Sequence, residues 1–249
     1  QPWDLGHVIL DFGASNLFAW HEGEAARKAD VVAKSAKASL ILDRRGQVQR
    51  FDADITHVSA IVTDVAEPVE AERIELHQRH RTGTRPNEPP DSQEVAIYAK
   101  ALLMSQGDAG PLGPQVLNLE LVAKLPPPLP QGLGGLAAWR DDGGTAQIEH
   151  LALQWGPLDF RGAGTVSLDK DMRPLGALAG EIRGFGPTLD AFTRAGQVRP
   201  DDAQMAKIAL GLLAKADGDG TPVLKLPITA QNGRLFVGPV ALLRLRPLL

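Results

Sequence analysis

The sequence predicts a mainly β fold (β-rich α+β): a strongly curved antiparallel sheet, in one piece or as two similar halves, with an amphipathic covering helix. Three observations predict it. Apolar residues recur with period two over most of the chain, as half-buried strands require. The 26 glycines and 19 prolines break the chain into many short segments. Several glycines fall on the apolar faces of those segments, where they relieve crowding in a sheet that bends sharply.

Taken in order, Leu40 to Asp43 meets a turn at Arg44-Arg45-Gly46, and Val48 to Thr63 follows as one long strand. Phe51, Ala53 and Ile55 share one parity, while Val58, Ala60 and Val62 share the other. Such a phase switch predicts a β-bulge near Thr56-His57. Val69 to Arg81 sets Ile74 and Leu76 against Arg73, Glu75 and His77, so this strand has one wet face. Arg81 to Pro90 is a loop by composition. Val95 to Met104 and Val116 to Leu125 are further strands, the first open to a helical reading because Ala96, Ala99, Lys100 and Ala101 are good helix formers. Pro126, Pro127, Pro128 and Pro130 cannot donate to a sheet ladder and mark a boundary. Residues 1–125 are then an N-terminal β-rich half, 126–135 a stiff linker and 136–249 a C-terminal β-rich half.

In that second half Leu151, Leu153 and Trp155 share one face of a strand from Ile148. Leu158, Phe160, Val166 and Leu168 share a face of the next, with Gly162 and Gly164 between them. Leu178, Gly180, Ile182 and Gly184 alternate bulk with its absence. A short helix is predicted near 188–195 and a longer one over 200–216, opened by Pro200, Asp201 and Asp202. In the longer helix Met205, Ile208, Ala209, Leu212 and Leu213 form one apolar stripe, expected to cover the sheet. Val223 to Ala230, the turn Gln231-Asn232-Gly233, and Arg234 to Val240 read as a hairpin.

Composition narrows the function. The net charge of −4 and the lack of a basic stripe argue against nucleic acid and against attachment to anionic headgroups by charge. Absence of cysteine excludes disulfides, thiolate metal sites and cysteine nucleophiles. No run approaches the ~20 apolar residues that span a bilayer. The start at Gln1-Pro2-Trp3 is read as that of an exported protein, following either a targeting segment removed by processing or an anchor. Of the histidines only His77 and His80 are close, and an offset of three on a strand separates their faces. No nucleophile elbow, zinc motif or phosphate loop is present. The aspartate pairs Asp141-Asp142, Asp169 with Asp171, Asp201-Asp202, and Asp217 with Asp219 lie in turns or at a helix start, where aspartate bonds its own backbone. No metal, no cofactor and no catalytic residue is expected.

The C-terminal third carries a family likeness in three segments: Pro174 to Phe185 (PLGALAGEIRGF), Leu226 to Val240 (LPITAQNGRLFVGPV) and Arg246-Pro247-Leu248-Leu249. These resemble the DUF2125 family of exported alphaproteobacterial proteins. More distantly they are similar to AsmA-like envelope proteins, whose repeated curved sheets are thought to hold lipid chains in an apolar groove. The resemblance implies a periplasmic envelope protein, held at the inner membrane through an anchor not contained in this chain, that binds or transports lipid or another hydrophobic ligand. Leu151, Leu153, Trp155, Leu158, Phe160, Leu224, Leu226 and Ile228 are the candidate lining. The alternative is a non-catalytic scaffold that binds other envelope proteins through sheet edges; a hydrolase using turn aspartates ranks third.

Overall fold

In the computed structural model, described over residues 6–22, 25–62, 67–82, 91–105, 109–126 and 132–248, strand dominates helix, 62% against 15%. Fourteen strands form one antiparallel sheet that does not close. They are β1 (His7–Asp11), β2 (Ser15–Glu22), β3 (Ala25–Leu42), β4 (Val48–Val62), β5 (Val69–Thr82), β6 (Asp91–Leu103), β7 (Gln115–Leu125), β8 (Ala146–Trp155), β9 (Leu158–Leu168), β10 (Pro174–Arg183), β11 (Lys215–Ala216), β12 (Pro222–Gln231), β13 (Arg234–Val237) and β14 (Val240–Arg244). The helices are α1 (Gly132–Asp141), α2 (Phe185–Arg194) and α3 (Pro200–Leu213). From β3 to β10 the chain meanders, each strand pairing with the next. β1 and β2 share the outer edge of β3 end to end, and β14 forms the other edge. An open sheet of this many twisted strands has to curl.

The segment from Val95 is strand as far as Leu103, not helix: its own Val95, Ile97 and Tyr98 favour strand, and ladders to β5 and β7 on both sides override the alanines. Residues 83–90 of the predicted loop and 127–131 of the proline-rich segment lie outside the described residues. Across that segment β7 pairs directly with β8, so the sheet runs on.

The sequence places a bulge at Thr56-His57, and the structure corrects this. A bulge gives one strand an extra residue and shifts the register. Here Ala33 faces Val58 and Ser35 faces Thr56, and Val58 and Thr56 face Ala71 and Arg73, with no slip on either side. Every strand switches phase together. The apolar face passes from Ala33 to Ala36, from Ile55 to Val58, from Ala71 to Ile74 and from Ala99 to Leu102, two consecutive residues turning outward each time. His57 and Ala101, at φ 48° and 50°, make the switch on β4 and β6 through left-handed backbone. This crease ends at β7, where Leu117 is the extra residue against β8 and the bulge is real.

The crease yields a stability prediction. Left-handed backbone costs an L-residue with a Cβ roughly 1–2 kcal/mol, and glycine nothing comparable. Ala101→Gly is therefore expected to stabilise the protein by about 0.5–1 kcal/mol after its own entropy cost, and Ala101→Val to destabilise it. Urea midpoints at constant m-value check both.

Register carries the apolar pattern across the whole sheet. Val31, Ile55, Ile74, Ile97, Leu121, Leu151, Phe160, Ile182 and Leu224 lie on one face, and both apolar clusters of the described residues sit there. The opposite face is charged. Arg73 bridges Asp54 and Glu75 at 2.9 Å each and holds the Asp54 carboxyl below the usual aspartate range. His77 lies 2.7 Å from Asp52 and 3.3 Å from Glu75, half-buried, where the sequence pattern had suggested an exposed side chain. Burial pushes Asp52 up, but the hydrogen bonds from Arg50 and His77 outweigh it and hold the carboxyl low. Surface pairs of this kind contribute little each; their consequence is that this face stays wet.

Among the described residues α2 packs against β9 and α3 against β12 and β14, on the apolar face at the C-terminal end. The facing of α3 is a second correction. Ala203, Ala206 and Leu210 are its buried residues, whereas Met205, Ile208 and Leu212 are 70%, 59% and 83% exposed. At about 100° per residue the two stripes lie on opposite sides of the helix. The small side chains of Ala203 and Ala206 let α3 approach α2 closely, and Leu210 reaches down toward Phe160 and Leu224 of the sheet. The hairpin is also shorter than its pattern. Asn232 and Gly233 form the turn at φ 52° and 67°, but the return strand stops at Val237 and turns again through Gly238 into β14.

Candidate functional site

Between α2, α3 and the strands β9, β10, β12, β13 and β14 lies a cavity of about 220 Å³. Its walls come from Leu158, Phe160, Ile182, Leu224, Ile228, Leu235, Val237, Leu242 and Leu243 of the sheet, and from Phe185, Thr188, Leu189, Phe192 and Leu210 of the helices. All are apolar except Thr188, which is buried and whose hydroxyl has no hydrogen-bond partner among the described residues. A space of that chemistry offers water few hydrogen-bond partners.

Local sequence builds this space. On β9 and β10 the glycines Gly162 and Gly180 face each other, and the ring of Phe160 lies over both. A Cβ at Gly162 or Gly180 would stand 2.6 or 2.5 Å from that ring. The glycines read from sequence as points of bending thus serve as an aromatic seat. Gly184 begins α2 at φ 70°, with a Cβ position only 1.8 Å from the Pro157 carbonyl oxygen, so only glycine lets the chain turn from β10 into the helix here.

All eight residues singled out from the sequence lie on the apolar face. Leu158, Phe160, Leu224 and Ile228 line the cavity, and Leu151 and Leu226 pack against the same buried cluster. Leu153 pairs with Phe160 one strand further out. Trp155 takes another role: its indole N–H donates to the Gly113 carbonyl at 2.7 Å and pins the turn beside β7. The contribution of α2 went unread, although Phe185, Leu189 and Phe192 at i, i+4 and i+7 carry the signal. Beyond α2 and α3 the apolar face runs on over β8 to β3, where no helix among the described residues packs on it.

Among the described residues no group of three or more His, Asp or Glu could hold a metal ion. The turn aspartates serve their loops: Asp169 binds the backbone and guanidinium of Arg173, and Asp217 pairs with Arg183. His77 and His80 face opposite sides of β5, as their spacing requires. Among the described residues no helix is long and apolar enough to cross a membrane.

Neither a curated protein nor a solved structure matches the chain. A family model does match, over residues 1–246, and its description is that of uncharacterized proteins conserved in bacteria. With that match spanning nearly its full length, the chain belongs to the DUF2125 family.

Proposed function

We propose that this protein binds lipid or another hydrophobic ligand by its acyl portion, in the periplasm, and carries it without chemical change. The observation behind the proposal is one apolar face continuous from β3 to β14, on which, among the described residues, helices pack at the C-terminal end alone, around a cavity walled by hydrocarbon. A folded protein that had no use for such a face would cover it or interrupt it with charge. The ligand's chain would lie in the cavity under α2 and α3 and continue along the bare strands. The charged opposite face keeps the loaded protein in water.

Organic extraction of the purified protein followed by lipid mass spectrometry tests this directly. Recovery of a stoichiometric amphiphile is the expected result, and none after purification without detergent sinks the proposal. Ile228, half-buried at the cavity wall, supplies a matched variant. Ile228→Trp is expected to fill the space, weaken binding of a fluorescent fatty acid by tenfold or more and cost about 1–3 kcal/mol of stability through overpacking. Unchanged affinity in the folded variant would place the ligand elsewhere.

The scaffold reading keeps one supporting observation. The edge strands β1 and β2 expose Ile9, Leu17 and Phe18, an open ladder with apolar side chains on both faces, to which a partner strand could add.

A further inference from the structure

The outer side of α3 is an apolar surface that no described residue covers. Met205, Ile208 and Leu212 are 70%, 59% and 83% exposed, and Leu213 beside them 41%. The same helix forms the cavity wall on its inner side through Leu210 and packs on β14, whose Leu242 and Leu243 line that cavity. One helix therefore separates the hydrocarbon space inside from an apolar stripe outside.

We propose that this stripe is where the protein touches a lipid surface, dipping α3 into an uncharged bilayer face so that cargo passes beside the helix into or out of the cavity. This rests on the carrier reading above. Area argues against a second copy as the occupant: stable interfaces take roughly 20–30 residues a side, and the stripe offers four. Shallow burial in a headgroup layer needs no more than one such helix face. Charge selects the kind of lipid. The helix and its flanks carry Arg199, Asp201, Asp202, Lys207, Lys215, Asp217 and Asp219, and Lys207 and Asp217 are already paired, with Asp190 and Arg183. Helices drawn to anionic membranes carry a surplus of lysine and arginine on the polar side, and this one does not. The contact is with zwitterionic or neutral lipid and insensitive to salt.

The cysteine-free chain allows a clean test. Ile208→Cys labelled with an environment-sensitive fluorophore should shift to the blue and brighten severalfold on addition of phosphatidylcholine vesicles. Added salt or anionic lipid should change little, and a label at Lys34→Cys, exposed on β3, should not respond. No shift at position 208 overturns the inference, as does the same shift appearing without vesicles as protein concentration rises, which would make the occupant a second copy. The second arm is lipid exchange between donor and acceptor vesicles. The variant Met205→Ser/Ile208→Ser/Leu212→Ser alters only exposed positions. It should keep its fold and bound lipid, yet exchange lipid at least tenfold more slowly. Exchange at the unaltered rate overturns the inference while leaving the carrier reading intact. A protein that yields no lipid on extraction overturns the carrier reading, and the fluorophore still decides whether the helix enters the bilayer.

Discussion

Phe160→Ala is expected to lower the unfolding free energy by about 3–5 kcal/mol. The ring is 7% exposed, pairs across the ladder with Leu153 and Ile182, and fills the space above Gly162 and Gly180. Those glycines have no side chain to close the gap, so the site collapses poorly and the loss sits at the upper end of the range. The seat also predicts coupling. Gly180→Ala alone forces a methyl group against the ring and should be destabilising; in the Phe160→Ala background the same change should cost little. A double-mutant cycle by chemical denaturation measures this difference. Additive costs would show that ring and glycines do not share one packing unit.

Leu224→Ala should cost about 2–5 kcal/mol. Leu224 is fully buried at the centre of the larger apolar cluster, under α3 and next to Ile182. Truncation enlarges the cavity instead of opening a new one, so the variant should gain room for ligand while losing stability. Saturation with a small apolar ligand should then restore part of the loss, about 2.7 kcal/mol at a hundred times its dissociation constant. Thermal unfolding with and without the ligand reads this out. A variant that loses stability but shows no ligand-dependent recovery would mean that the space does not accept hydrocarbon from solution.

Both predictions concern the one region where the sheet carries a second layer. Stability and ligand space therefore compete for the same side chains. The β3 to β8 portion has a different economy: its buried residues are mostly alanines, such as Ala33, Ala36 and Ala71, shielded by the larger side chains around them. Side chains of that size bury little area each. The long ladders hold this part together.

Much of this was written in the chain. Period-two alternation defines β4, β5, β7, β8, β9 and β12 to within a few residues and β6 and β10 in part, because a strand with one dry face must alternate, but of the 18-residue β3 it picks out only Leu40 to Leu42. The apolar face, and with it all eight candidate lining residues, follows from parity alone. So does the turn at Asn232-Gly233, which demands left-handed backbone that those two residues tolerate. What parity could not show is whether neighbouring strands share an irregularity. The phase switch at Ile55 and Val58 looks like a bulge in one strand, and only the pairing of Ala33, Ala71 and Leu102 reveals a crease common to all. Nor could the helical pattern decide which side of α3 faces in. Both stripes are apolar, and the choice fell to Ala203, Ala206 and Leu210 because the depth between α2, Phe160 and β14 is a property of the assembled layers. A sequence states how each element distributes its apolar side chains; the space left between elements exists only once they are packed.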